Sequence, residues 1–116
     1  MTSRSARRTI KILYAIRTPE VRDDFLRLMN ELRTATRKVM RLAGADDGEY
    51  SLSEIPGQPG RFEETLKFKD ESQRLKFDDL YCQDRTATTL QALLNELLDA
   101  SKSDFAVTGE RELALV

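Results

Sequence analysis

Residues 61–81, RFEETLKFKDESQRLKFDDLY, constrain this chain more than any other stretch. From Arg61 to Lys69 the side chains alternate with period two. Phe62, Glu64, Leu66 and Phe68 fall on one face, and Arg61, Glu63, Thr65, Lys67 and Lys69 on the other, as in a strand packed on one side. Asp70 then offers a side-chain oxygen to the free amides of a first helical turn, and Gln73 follows three residues on, the spacing of a capping box. Glu71 suits the positive end of that helix. Leu75, Leu80 and Tyr81 supply its apolar stripe, with Phe77 falling off it.

The rest of the chain arranges itself around this strand and helix. Residues 8–17 alternate as a first strand, with Ile10, Ile12, Tyr14 and Ile16 on one face and Lys11, Leu13, Ala15 and Arg17 on the other. Leu13 and Ala15 make the second face apolar at its middle, which predicts a central strand covered on both sides there. Thr18-Pro19-Glu20 reads as cap, first helical position and dipole-matched acid. The helix it opens is expected over 19–43, with Val21, Phe25, Leu28, Leu32, Ala35, Val39 and Leu42 on its buried stripe and Gly44 as a left-handed stop. Asp46-Asp47-Gly48 turns into a polar edge strand over 49–55, where Tyr50, Leu52 and Glu54 alternate with Ser51, Ser53 and Ile55. Pro56-Gly57-Gln58-Pro59-Gly60 cannot continue a ladder and forms the loop of a long hairpin. Beyond the central helix, Asp84 caps a fresh amphipathic segment, with Ala87, Leu90, Leu93, Leu94, Leu97 and Leu98, to about Ser101. A last strand is expected within 104–116, where Phe105 and Val107 precede a turn or bulge at Gly109 and Leu113 and Leu115 extend it or reach a partner.

That order predicts an α+β fold: a ferredoxin-like βαββαβ sandwich with a split second helix, one domain over 8–116 behind a disordered start at 1–7. The helices cover one sheet face, so the other needs polar residues or a second subunit. Tyr50, Leu52, Leu13 and Ala15 argue for cover, which predicts a homodimer packed sheet to sheet.

Composition removes whole classes of chemistry. With no histidine in 116 residues, Ser–His and Cys–His nucleophile pairs, imidazole zinc sites and imidazole haem ligation are excluded. Acid–base work falls to carboxylates, tyrosines, lysines or the substrate itself, and no cofactor and no metal are expected. The single cysteine, Cys82, cannot form an internal disulfide and fits a reducing, cytoplasmic setting. No apolar run approaches the roughly 20 residues of a membrane span. Charge is unevenly spread: residues 1–44 carry 11 Lys/Arg and 4 Asp/Glu, net +7, and the remainder 8 and 16, net −8. The basic side of the first helix lacks an aromatic stacking platform, so a solvated or subunit-facing surface is expected rather than nucleic-acid binding.

Phe62-Glu63-Glu64-Thr65-Leu66-Lys67-Phe68 followed by Asp70, behind a strand, a long helix and a hairpin, resembles the dimeric α+β barrel superfamily over roughly residues 9–108, in particular its antibiotic-biosynthesis-monooxygenase-like and stress-responsive branches. That resemblance implies a sheet-to-sheet dimer. It also raises a cofactor-independent oxygenase acting on an aromatic or polyketide-like substrate, whose own enolate would do much of the work. The histidine that the family often places after this helix is absent, which argues against haem degradation and histidine-assisted oxygenation.

Glu64 is the residue most out of pattern, an acid on the Phe62–Leu66–Phe68 face. A buried carboxylate without partners is costly and raises its own pKa. Two arrangements answer that cost. Glu64, with Tyr14 and Arg17, lines a pocket between sheet and helices, or it sits near a strand end and pairs with Arg17 or Arg61. Two functions stay open with them: a dimer that binds a small apolar ligand or stabilises an assembly, and the monooxygenase, in which Tyr14 and Glu64 orient the substrate. A cavity of roughly 300 Å³ or more reaching Glu64 separates a ligand site from a packed core.

Overall fold

The computed structural model describes residues 7–109. The start expected at 1–7, Arg7 apart, and the extension through Leu113 and Leu115 lie outside the described residues. Four strands and three helices follow one another: β1 (Arg8–Ala15), α1 (Arg22–Leu42), β2 (Tyr50–Glu54), β3 (Arg61–Phe68), α2 (Glu71–Gln83), α3 (Arg85–Asn95) and β4 (Asp104–Gly109). The strands lie in the order β2-β3-β1-β4, and each neighbouring pair is antiparallel. This is the α+β ferredoxin-like arrangement, with its second helix divided into α2 and α3.

Local chemistry explains where the elements begin and end. The Asp70 side chain accepts from the Gln73 amide at 2.8 Å, which starts α2. Gln73 does not reach back to Asp70, however. Its Oε1 accepts from the Lys69 amide at 2.9 Å, and its Nε2 donates to the Gly44 carbonyl at 2.9 Å. One buried carboxamide thus ties the start of α2 to the end of α1, where Gly44 takes a φ of 83°. Asp84 accepts from the Ala87 amide at 2.9 Å and starts α3. Thr18 makes no side-chain cap, and the chain enters α1 through a 3₁₀ turn at Pro19–Val21.

Three expectations are corrected. The helix after Asp84 ends at Asn95 rather than near Ser101. The Arg17 amide donates to the Leu97 carbonyl at 2.8 Å and Ile16 bridges to Leu98, so pairing with the end of β1 draws these leucines out of helical geometry. On α2 the inward face belongs to Phe77, 4% exposed, while Leu75 is 52% exposed. Gln73, Phe77 and Tyr81 succeed one another at four-residue steps, and the polar first member hid that stripe. Tyr50 and Leu52 stand opposite Leu66 and Glu64, so they face the helices and not the open side of the sheet. Leu13 remains on the open face, near an ion pair of Lys11 with Glu63 at 3.9 Å, whereas Ala15, the last residue of β1, is already buried within the single chain and needs no partner to cover it.

Beneath the helices the core has two parts. One gathers Tyr14, Phe25, Met29, Leu32, Phe62 and Leu94; the other gathers Ile10, Val39, Met40, Leu66, Phe68 and Phe77. A tilted ring contact lies in each: Phe25 is 4.7 Å from Phe62, and Phe68 is 5.1 Å from Phe77, centroid to centroid. Along β3, Phe62 belongs to the first part and Leu66 and Phe68 to the second. Glu64 falls at the seam.

Candidate functional site

Alternation along β3 puts Glu64 inward, and the register of the sheet brings tyrosines to it from two sides. Glu64 is 3% exposed. The Tyr14 hydroxyl, from β1, donates to its Oε1 at 2.8 Å, and the Tyr50 hydroxyl, from β2, donates to its Oε2. Burial raises the pKa of Glu64, and the two hydroxyl bonds oppose that rise by favouring the ionised form. Tyr14 and Tyr50 are pushed far above the ordinary phenol value, by burial first and then by the negative charge of Glu64. Tyr81, from α2, is raised for the same two reasons. The three tyrosines of the chain therefore all share the field of one carboxyl.

A cavity of about 620 Å³ opens at this seam, between the sheet and the α2–α3 pair. Ile10, Ile12, Leu66 and Phe77 make its apolar wall, and Glu64, Tyr14 and Tyr81 its polar patch. A hydrogen-bonded row leads outward from Tyr81. Its hydroxyl donates to Gln91 Oε1 at 3.2 Å, and Gln91 Nε2 donates to Asn95 Oδ1 at 2.9 Å. Asn95, Ala100 and Phe105 are exposed lining residues and mark the mouth. Phe105, near the start of β4, is 59% exposed. Asp78, also at the rim, has its pKa raised by burial although it pairs with Arg74.

The structure puts Glu64 and Tyr14 on this cavity and Arg17 elsewhere. The Arg17 Nε donates to the Glu96 carbonyl at 3.0 Å, and its side chain lines a different pocket. The strand-end pairing of Glu64 with Arg17 or Arg61 does not occur. Tyr50 and Tyr81 escaped the sequence reading. Hairpin counting could have found Tyr50: pairing Glu54 with Phe62 across the loop forces Leu52 onto Glu64 and Tyr50 onto Leu66. Tyr81 depended on how α2 packs, for which no short-range signal exists. Among the described residues no group of three Cys, Asp or Glu could hold a metal ion. Chemically, the patch offers a carboxylate acceptor with elevated proton affinity and phenol donors, in apolar surroundings.

No family model matches the chain, and no curated protein matches it at a significant level. Solved structures do resemble it. A NIPSNAP family protein from Agrobacterium tumefaciens aligns with a TM-score of 0.69 and 12% identity, over 94% of this chain and 90% of that one. An antibiotic biosynthesis monooxygenase aligns at 0.61 and 23% identity, over 87% and 93%. A dimeric ferredoxin-like protein from an uncultured marine organism aligns at 0.66 and 10% identity, over 90% and 85%. These likenesses show the fold, the α+β ferredoxin-like arrangement described above.

Proposed function

We propose that this protein binds a small, largely apolar ligand between sheet and helices, held by one polar group at Glu64. The observation that carries this reading is a buried carboxyl on the wall of a cavity of about 620 Å³. Small-molecule sites commonly span roughly 300–1,000 Å³, mostly apolar with a few convergent polar groups. For packing alone an apolar side chain at position 64 would be less costly than a carboxylate. The acceptor oxygens of Glu64 favour a ligand that donates a hydrogen bond, and Phe77 and Tyr81 favour a flat ring, so a phenol or enol of aromatic or polyketide-like type fits best. Thermal denaturation of the wild type and of Glu64→Gln against planar phenols, with 1-naphthol as the first probe, tests it. Ligand at about 100 times its Kd stabilises the folded chain by about 2.7 kcal/mol, and the Gln variant loses most of that gain. A panel that leaves the melting temperature of both proteins unmoved rejects the site.

A catalytic extension rests on the raised proton affinity of Glu64, with support from the similar structure described as an antibiotic biosynthesis monooxygenase. Glu64 would take a proton from an activated CH₂ of the ligand. The resulting carbanion would reduce dioxygen without a cofactor, one oxygen entering as a carbonyl and the other leaving as water. Oxygen uptake matching product formation, abolished in Glu64→Gln, distinguishes catalysis from binding alone.

The same reading includes a homodimer through the open sheet face, in a reducing cytoplasmic compartment. The half-buried Leu13 on that face supports it, as does the similar protein described as dimeric. No helix among the described residues is long and apolar enough to cross a membrane. Sedimentation of the wild type against Leu13→Glu tests the interface: the wild type should sediment as a dimer and the variant as a monomer.

A further inference from the structure

A second pocket, of about 390 Å³, lies where the C-terminal end of β1, the N-terminal end of β3 and the turn before β4 meet. Antiparallel pairing brings these three chain ends to one end of the sheet, and each delivers a cation: Arg17 after β1, Arg61 opening β3, and Lys102 before β4. We infer that this pocket, with Arg17, Arg61 and Lys102 around an opening walled by Ile16 and Pro19, is a second binding site, for a small organic acid carrying a carboxylate or phosphate group.

The anions nearby are already committed. Both oxygens of Glu54 accept from Arg22, at 2.7 and 2.8 Å, and Oε2 also accepts from the Gly60 amide at 2.9 Å. These bonds hold Glu54 ionised, its pKa drawn down to about 2. Asp99 Oδ1 accepts from the amide and hydroxyl of its own turn residue Ser101, at 3.0 and 2.6 Å. The cations are not so committed. Among the described residues Arg17 uses only Nε, toward a carbonyl, and Arg61 makes one 3.4 Å contact with the Lys102 carbonyl. The Lys102 ammonium meets the Asp99 carboxylate only as a neighbouring charge, although its backbone amide donates to the Asp99 carbonyl at 3.1 Å. Counting Arg17, Arg22, Arg61 and Lys102 against Glu54 and Asp99 leaves a net charge of +2 at the pocket.

Two guanidinium forks with free N–H groups match the paired oxygens of a carboxylate or phosphate, and the lysine adds a point charge. The apolar wall lowers the local dielectric and focuses that field. The site is independent of the Glu64 cavity. Ser103 stands between them, accepting from the Ala15 amide at 3.1 Å and donating to the Asp99 carbonyl at 2.9 Å.

Titration of the ¹⁵N-labelled full chain with sodium phosphate and, separately, sodium benzoate, at ionic strength held with sodium chloride, tests the site. Saturable shifts are expected at the amides of Ile16, Arg17, Gly60, Arg61 and Lys102, with those of Ile12 and Leu66 in the other cavity unmoved. The arm that saturates at lower concentration identifies phosphate or carboxylate as the preferred group. Arg61→Gln should weaken binding about tenfold or more, as loss of a charge-assisted hydrogen bond does. Lys102→Gln, in an exposed turn, should weaken it severalfold and serves if the first variant folds poorly. Failure of both anions to saturate, or shifts that spread along the basic side of α1 and ignore both substitutions, overturns the inference.

Discussion

Replacing Glu64 by glutamine should make the protein less sensitive to rising pH, and the size of that change follows from linkage. Burial lifts the folded-state pKa of Glu64 above its unfolded value, against the opposing pull of Tyr14 and Tyr50. Between the two values the folded chain holds more protons at this site than the unfolded chain, so stability falls as pH rises. The window opens near the unfolded glutamate value of about 4.3 and closes at the folded one. Within it the stability of wild type relative to Glu64→Gln declines by up to about 1.4 kcal/mol per pH unit, the most that one proton allows. Glutamine keeps the shape and can both accept from one tyrosine and donate to the other, so packing largely cancels in the comparison. Asp78, whose pKa is also raised, is present in both proteins and cancels too. Urea denaturation from pH 4 to pH 9 measures the difference. With an m-value of about 1–3 kcal/mol/M, each pH unit inside the window separates the midpoints by a further 0.5–1.4 M or so. Parallel stability curves, or a wild type that gains on the variant as pH rises, would show that the hydroxyl bonds outweigh desolvation, and the reasoning fails.

Other substitutions probe the surrounding structure. Tyr14→Phe leaves Glu64 Oε1 without its 2.8 Å donor and should cost about 1–3 kcal/mol in the same urea assay. Leu94 is fully buried, so Leu94→Ala should cost about 2–5 kcal/mol in the same urea assay; Leu75→Ala, on the outer side of α2, should stay within about 0.5 kcal/mol. Gly57 and Gly60 both have positive φ, but a Cβ on Gly60 would meet Ile16 Cγ1 at 3.1 Å, whereas one on Gly57 meets nothing within 4 Å. Gly60→Ala should therefore destabilise more than Gly57→Ala, which carries only the backbone penalty of about 1 kcal/mol.

What the sequence makes legible here is mostly what neighbouring residues decide among themselves. Asp70 and Asp84 bond amides three residues away, Gly44 closes a helix through its own φ, and the Pro56–Gly60 run breaks a ladder unaided. Those features fix the element order and hence the ferredoxin-like topology. Glu64 stands out because an acid interrupts an apolar face, a signal contained within one strand. Its partners arrive through register and packing. Tyr50 reads as an edge residue until its pairing opposite Leu66 is known, and Tyr81 faces the cavity only because α2 rotates Phe77 inward. Arg17 shows the converse. Alternation along β1 carries it past the strand's end at Ala15, and the Leu97 carbonyl then takes its backbone and turns the side chain toward the other pocket.

The gathering of Tyr14, Tyr50 and Tyr81 around Glu64 gives the protein a built-in optical reporter. The chain contains no tryptophan, so its ultraviolet emission comes from those three phenols alone, undiluted by any distant chromophore. A molecule that displaces the carboxylate from the Tyr14 and Tyr50 hydroxyls must alter that glow directly. Occupancy of the cavity can therefore be followed in unlabelled material, while an acid settling at the Arg61 pocket leaves the signal dark to it.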